Sequence, residues 1–247
     1  MIYRNVRVNT DPASLLILLG LPALYLVFFG FGFQSLASSS RGGTSYLLFL
    51  APGIMAFQAV MAGTVGGSML WADRRWGMLA QLLVGPFTRL EYLFGIMFTS
   101  LLFGIGGAAV MLALAVVLLG SAPLSFIGGL GVFGAIALGS VFFGSLMLLL
   151  AALVKSNTAY NSIQVLLLFV VNFASTVFYP SSPSIPYPIR ALITINPLTY
   201  IADTARNGFE GTLSTMNGYE MVVLAVETVV VLLLASRAYI RSDVSTE

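Results

Sequence analysis

Apolar positions form six long runs along the chain, separated by short segments that hold most of the charged residues. The runs cover 14–33, 46–70, 92–119, 124–154, 162–179 and 221–240. A helix needs about 20 residues to cross the roughly 30 Å of hydrocarbon in a bilayer, so each run predicts one transmembrane helix. We therefore predict an all-α integral membrane protein whose single transmembrane domain covers residues 1–247.

Composition agrees with a membrane protein and argues against several kinds of function. Hydrophobic residues make up 58% and charged residues 8% of the 247 residues, whereas soluble domains contain roughly 45–50% and 25%. The sequence has no cysteine and no histidine, which are the usual zinc ligands and, for histidine, the usual general base near neutral pH. We predict no metal site, no cofactor bound by this chain and no nucleic-acid partner.

Basic residues are distributed unevenly between the two sides of the predicted membrane domain. Six spans place both termini on the same side, and by the positive-inside rule the side with more Lys and Arg faces the cytoplasm. Eight basic residues fall on the side of the termini and three on the other, namely Arg4, Arg7, Arg74, Arg75, Arg89, Lys155, Arg237 and Arg241 against Arg41, Arg190 and Arg206. The chain is predicted to be a multi-pass protein of the cytoplasmic (inner) membrane with both termini inside.

The segment between the second and third runs has an amphipathic pattern. Trp76, Leu79 and Leu83 are spaced for one face of a helix over about 74–84, and Gly85-Pro86 would end that helix. An exposed apolar stripe requires a partner. The spacing alone leaves two partners open, the lipid headgroup region and a groove on another protein.

A proline-rich segment precedes the last run. Four prolines between positions 180 and 188 prevent a continuous helix, after which Asn196 is a suitable N-cap and Pro197 a suitable first helical residue. Asp203, Arg206 and Glu210 share one helical face at spacings that allow ion pairs. We predict two half-helices over about 189–211 that dip into the outer leaflet. Backbone groups without helical hydrogen bonds would be covered there by protein or by a water-filled cavity.

Four polar side chains lie inside the apolar runs and are candidates for translocation or gating: Gln58, Gln164, Asn172 and Glu227. For the three amides, the alternative is interhelical hydrogen bonding. Glu227 is either functional, as intramembrane carboxylates often are, or structural, for example paired with Arg206. Small residues such as Gly63 and Gly67, and Gly139 in the fourth run, indicate close helix contacts, either within the chain or across a dimer seam.

Two stretches resemble the ABC-2 type permease family, the membrane subunits of daunorubicin-type drug exporters and nodulation lipooligosaccharide exporters. Residues 74–89, RRWGMLAQLLVGPFTR, are similar to the family pattern R-E-x-G-T-L-E-x-L-L-x-T-P-x-x-R. Residues 196–200, NPLTY, and 205–208, ARNG, are similar to its N-P-L-T-Y and A-L-R-x-x motifs. Arg75, Ala80 and Gly85 depart from the first pattern, which bears on the polar contacts to the motor subunit.

The resemblance implies a fold like that of type V ABC exporters and a division of labour between subunits. Two copies of a cytoplasmic ABC ATPase would bind ATP and Mg²⁺, and two permease copies, expected to form a homodimer among membrane lipids, would form the translocation path. The implied coupling residues are Arg74, Arg75, Trp76, Leu79 and Leu83, and the implied outer half-helix motif consists of Asn196, Pro197, Tyr200 and Arg206. The sequence supports a separate ATPase subunit in one respect. A phosphate-binding loop needs a glycine directly before its lysine, and the single lysine, Lys155, follows Val154. The chain therefore has no phosphate-binding loop of its own.

The predicted function is therefore the permease subunit of an ATP-driven exporter for a hydrophobic drug, a lipid or a lipid-linked saccharide. The chain itself is not predicted to be an enzyme. One alternative is a secondary transporter driven by an ion gradient, which would need buried ionisable relays in several spans. A second alternative is an integral membrane lipid-modifying enzyme, which would need a cluster of carboxylates, His or Lys at the interface.

Overall fold

The described part of the chain is helical. The computed structural model describes residues 2–33, 45–85, 88–120 and 124–241, and within these ranges there is no strand, so the predicted all-α fold class is confirmed. Arg41 and Pro86 lie outside the described residues. The helices are α1 (Ile2–Asn9), α2 (Pro12–Gly32, with a π-helical turn at Leu16–Gly20), α3 (Tyr46–Arg75), α4 (Met78–Val84), α5 (Arg89–Leu119), α6 (Phe126–Leu153), α7 (Asn157–Phe173), α8 (Tyr187–Ile195), α9 (Pro197–Glu210) and α10 (Thr215–Arg241).

Five helices in the described ranges are long and apolar enough to cross a membrane: α2, α3, α5, α6 and α10. The fifth predicted span corresponds to α7, but the predicted boundary at 179 is wrong because the helix ends at Phe173. Ala174 leaves the helical conformation, and Tyr179 folds back to donate a hydrogen bond to the Phe173 carbonyl. With 17 residues, α7 rises about 26 Å, so its crossing of the bilayer stays a prediction.

The two ends of the helical bundle differ in their side chains. We call one end the arginine end because Arg4, Arg74 and Arg89 bind neighbouring helices there. The other end carries α8 and α9, the predicted half-helices, and we call it the half-helix end. Since successive long helices run in alternate directions, α4 lies at the arginine end and α9 at the opposite end.

Helix α3 is the centre of the bundle. It packs against α5, α6 and α9, and most of its residues are buried, whereas α5 and α10 expose much of their apolar surface. A Cβ atom on Gly63 would lie 2.6 Å from the carbonyl carbon of Phe143 in α6, and one on Gly139 of α6 would overlap Ile201 of α9. The small residues therefore allow close contacts within the chain.

Capping side chains mark where several helices begin. Asp11 accepts hydrogen bonds from the backbone of α2, and hydrogen bonds from the side chain and backbone of Ser14 lower the pKa of Asp11. Thr88 and Glu91 form a reciprocal capping box at the start of α5. Ser125 and Ser156 cap α6 and α7. Each cap satisfies an N–H group that the helix itself leaves free.

Candidate functional site

Helix α4 projects from the arginine end as a short, separate element. Helix α3 ends at Arg75, and Gly77 adopts a left-handed conformation with φ of 66° before α4 begins at Met78. A side chain at this position would be strained, so the glycine permits the sharp change of direction. The predicted helix over 74–84 is thus divided into the last turn of α3 and the independent helix α4.

The predicted apolar stripe of α4 is split between the bundle and its surroundings. Leu79 is 2% exposed and packs in a buried cluster with Trp71 and Tyr92, so the predicted stripe is not exposed at this residue, and the coupling role of Leu79 stays a prediction. Trp76 is 75% exposed and Val84 is 90% exposed. Leu79 therefore anchors α4 to the bundle while other apolar side chains remain outside it. The side chain of Leu83 lies outside the described part of the structure.

The two predicted coupling arginines have different environments. Arg74 is 5% exposed and donates a hydrogen bond of 2.8 Å to the carbonyl of Ala151 near the end of α6. The guanidinium is therefore buried and binds the C-terminal turn of a neighbouring helix, and the coupling role that the resemblance implies for Arg74 stays a prediction. Arg75 is exposed and lies over the Trp76 ring, with 5.7 Å between the guanidinium carbon and the ring centroid.

Asp73 connects the N-terminal helix to the bundle, a role that the sequence did not reveal. Its carboxylate forms an ion pair with Arg4 of α1 at 2.6 Å and accepts a hydrogen bond from the Tyr92 hydroxyl at 2.8 Å. The Tyr92 ring stacks on Tyr239 of α10, and Arg89 donates to the Tyr239 carbonyl at 3.2 Å. The turn before α4 is therefore tied to the ends of α1, α5 and α10.

At the half-helix end, Asn196 joins two helices. Its side-chain oxygen accepts a hydrogen bond of 3.0 Å from Leu198, which caps α9, and its amide donates to the carbonyls of Val171 and Ala174 at the end of α7. Pro197 occupies the first turn of α9, where no backbone donor is needed. The predicted N-cap is confirmed, and the same side chain also satisfies the C-terminus of α7.

The side chain of Arg206 is buried at the half-helix end, where it contacts three neighbouring residues. Its guanidinium pairs with Asp203 at 2.7 Å, donates to the Thr176 carbonyl at 2.9 Å and lies 3.9 Å from the centroid of the Phe49 ring. The Thr176 hydroxyl donates to Asp203 at 2.7 Å. Arg206 thereby joins α9 to α3 and to the segment after α7. Tyr200, on the same helix, is half-buried.

The four polar side chains inside the apolar runs do not form one hydrogen-bonded site. Gln58 is fully buried beside Gly107 of α5, and Asn172 is 3% exposed, so both lie inside the bundle, and their role in translocation or gating stays a prediction. Gln164 is partly exposed. Glu227 has one buried carboxylate oxygen without a hydrogen-bond partner, and the described residues contain no ion pair between it and Arg206. The roles of Gln164 and Glu227 stay predictions.

The described residues contain no group of three or more His, Cys, Asp or Glu side chains arranged to hold a metal ion. Asp73 and Arg74 of α3 and Arg206 of α9 instead serve helix contacts at the two ends of the bundle. These contacts organise a bundle that presents a separate amphipathic element, α4, at one end and two broken helices at the other.

Comparison with protein families shows which family has this sequence pattern. The family model described as ABC-2 type transporter matches residues 2–209. The chain belongs to the ABC-2 type transporter family. The match includes both stretches that carry the resemblance, 74–89 and 196–208. A comparison with curated proteins gives no match.

Membership of this family makes the chain a membrane subunit of an ABC transporter. An ABC-2 permease is a transport subunit and not the catalytic one, and the family implies an ABC ATPase subunit as a partner. Of the residues in the two motifs, Leu79, Arg74, Asn196 and Arg206 hold the permease together internally. Trp76 and Arg75 remain accessible at the arginine end.

Proposed function

We propose that this ABC-2 permease is the membrane half of an ATP-driven exporter and that a cytosolic ABC ATPase drives it by pushing on α4. The observation that supports this is the placement of α4, which is fixed to the bundle by Leu79 and yet presents exposed apolar side chains. Met78 and Val84 of α4 are exposed by 40% and 90%, and Trp76, in the turn before α4, is exposed by 75%. An apolar surface on a rigidly attached helix suits the groove of a partner protein.

The contacts at the arginine end would transmit a displacement of α4 to the helices of the membrane domain. Leu79 packs on residues of α3 and α5, Arg74 ties α3 to α6, and Arg89 ties α5 to the end of α10. Displacement of α4 would therefore move several helix ends together, because packed interfaces shift as units. The proposed result is a change between inward-facing and outward-facing arrangements of two permeases.

We place the arginine end and both termini in the cytosol, at the inner membrane, on the distribution of basic residues. The half-helix end then faces outward. Two ATPase copies would bind ATP and Mg²⁺, and two identical permeases would form the path for a hydrophobic drug, a lipid or a lipid-linked saccharide. The apolar face of α7 exposes Leu166, Phe169 and Val170, and it suits contact with lipid or the second copy.

The double substitution Met78→Asp and Val84→Asp tests the proposal. It is expected to reduce the permease-dependent stimulation of the ATPase by at least about tenfold, because it places two carboxylates in an apolar contact. ATPase turnover is measured with purified permease in proteoliposomes. Val8→Asp is the matched control, since Val8 is an exposed apolar residue of α1 at the same end. Equal stimulation by the double variant and the parent protein would rule out α4 as the coupling element.

A further inference from the structure

An apolar groove opens between α2 and α5 on the outside of the bundle. It has a volume of about 310 Å³, and the described residues that line it are apolar or glycine. Its walls come from three helices, through Val6 of α1, Leu15 and Leu19 of α2, and Leu102, Gly106 and Val110 of α5. We call it the α2–α5 groove. It offers a ligand apolar contacts and no polar side chain.

The α5 wall of the groove has a notch at Gly106. Leu102, Gly106 and Val110 are four residues apart, so they lie on one face of the helix, and all three are exposed. A Cβ atom added to Gly106 would have no neighbour within 4 Å in the described part of the chain. Glycine is less favourable than alanine inside a helix, and packing within the chain does not require it here. The missing side chain therefore leaves space for a group from outside the chain.

The α2 wall of the groove includes the π-helical turn Leu16–Gly20. Pro22 has no N–H to donate to the Leu18 carbonyl, so the α-helical hydrogen-bond pattern is interrupted at this point. Leu15 and Leu19 line the groove beside the turn, and α2 contacts α5 through it. Turns of this kind are frequent at functional sites. The groove thus lies between two irregular features, the π-helical turn and the glycine notch.

The dimensions of the groove fit one acyl chain. Leu102 and Val110 are eight positions apart, which corresponds to a rise of about 12 Å. One leaflet provides about 15 Å, half of the roughly 30 Å of hydrocarbon in a bilayer. The volume lies at the lower limit of the roughly 300–1,000 Å³ found for small-molecule pockets. The groove therefore admits one narrow chain rather than a bulky drug or a saccharide.

Helix α1 borders the groove at the arginine end. Asn5 of α1 donates a hydrogen bond to the hydroxyl of Thr99, which lies one turn of α5 before Leu102. Val6 lines the groove, and the adjacent Arg7 is exposed. A lipid with its headgroup beside α1 could extend a chain along α5. Apolar cavities stay dry, and an empty groove would forfeit the dispersion contacts of its walls, so an acyl chain is the occupant that suits it.

We propose that the α2–α5 groove binds one acyl chain of a membrane phospholipid, with the lipid headgroup beside α1. The chain packs against Leu15, Leu19 and Leu102 and fills the notch at Gly106. This site goes beyond the coupling role of α4, because it belongs to the permease alone and does not depend on the ATPase.

Native mass spectrometry of purified, lipid-depleted permease tests this proposal. Palmitoyl-oleoyl phosphatidylglycerol is titrated into the protein in detergent, and the fraction of protein that carries one lipid per permease is measured. The parent protein should bind this lipid saturably. Gly106→Ala should weaken the binding about fourfold and Gly106→Leu at least about tenfold. The reason is that the added groups displace methylene groups of the lipid chain, each of which contributes roughly fourfold to affinity when buried.

Gly134→Leu is the matched control for these substitutions. Gly134 is an exposed glycine of α6, and a Cβ atom added there would also have no neighbour within 4 Å in the described ranges. This variant should bind the lipid like the parent. The thermal midpoint of each variant reports its folding. Gly106→Ala should be at least as stable as the parent because alanine favours a helix, so it tests the site even if the leucine variant does not fold.

Three results would overturn the proposal. These are the absence of saturable binding, equal affinity of the parent and both Gly106 variants, and equal weakening by Gly106→Leu and Gly134→Leu. The same spectra report the oligomeric state, and loss of a permease dimer in Gly106→Leu without loss of lipid would assign the groove to a second copy instead. Since the titration contains no ATPase, its failure leaves the coupling role of α4 untouched. A failure of the Met78→Asp and Val84→Asp experiment equally leaves the lipid site standing.

Discussion

Arg206→Ala is expected to lower the free energy of unfolding by about 3 kcal/mol, the low end of the cost of breaking a buried ion pair from one side, because Asp203 is partly exposed. Within the described residues, the substitution leaves Asp203 with the Thr176 hydroxyl as its side-chain partner. It also removes the hydrogen bond to the Thr176 carbonyl and uncovers the Phe49 ring. For a protein of this size the thermal midpoint should fall by roughly 10 °C. The measurement is thermal unfolding of the purified protein in detergent.

Two other arginine substitutions make this test specific. Arg206→Lys keeps the charge but loses the planar fork, so its midpoint should lie between those of Arg206→Ala and the parent. Arg190→Ala is the matched control, because Arg190 is a partly exposed arginine of α8 at the same end, and surface substitutions usually change stability by about 0.5 kcal/mol or less. Equal losses for Arg206→Ala and Arg190→Ala would contradict the role assigned to Arg206.

Gly63→Leu is expected to destabilise the bundle by about 3 kcal/mol, the upper part of the usual range for overpacked cores. A Cβ atom at this position would lie 2.6 Å from both the carbonyl carbon and the Cβ atom of Phe143. Backbone atoms of α6 cannot move away independently, so α3 and α6 must separate along their contact. The thermal midpoint in detergent measures the effect, and the fraction of monodisperse protein measures the loss of folding.

Gly134→Ala is the matched control for this substitution and should have the opposite sign. Gly134 lies in α6, and a Cβ atom added there would have no neighbour within 4 Å in the described part of the chain. Alanine favours the helix over glycine by up to about 1 kcal/mol, so the variant should be as stable as the parent or slightly more stable. A Gly63→Leu protein with an unchanged midpoint would show that α3 and α6 do not pack as described.

Features that depend on neighbouring residues in the chain could be predicted from the sequence. The apolar runs identified the long helices, and the Asn196-Pro197 pair identified the start of α9 because capping is a local interaction. The second role of Asn196, donation to Val171 and Ala174, could not be predicted, since those carbonyls become available only because α7 ends at Phe173. The same early end explains the wrong boundary of the fifth span.

The sequence could not show which side of an amphipathic helix faces the chain's own bundle. Helical spacing placed Trp76 and Leu79 on one stripe, yet Trp71 and Tyr92 cover Leu79 and leave Trp76 exposed. The sequence also could not show which of two neighbouring arginines is buried. Arg74 and Arg75 are adjacent in the sequence, but a helix directs neighbouring side chains about 100° apart, so one reaches the end of α6 and the other remains outside.

Cysteine labelling tests most directly the central claim, that α4 lies in the cytosol and is covered by an ABC ATPase. The chain contains no cysteine, so Ala80→Cys introduces a unique thiol at an exposed position of α4, and Thr212→Cys introduces one at the half-helix end. A membrane-impermeant maleimide is applied to intact cells and to inverted membrane vesicles. We predict that Ala80→Cys is labelled only in inverted vesicles, that its cognate ATPase suppresses this labelling, and that Thr212→Cys is labelled only in intact cells. Labelling of Ala80→Cys in intact cells, or labelling that the ATPase leaves unchanged, would contradict the account.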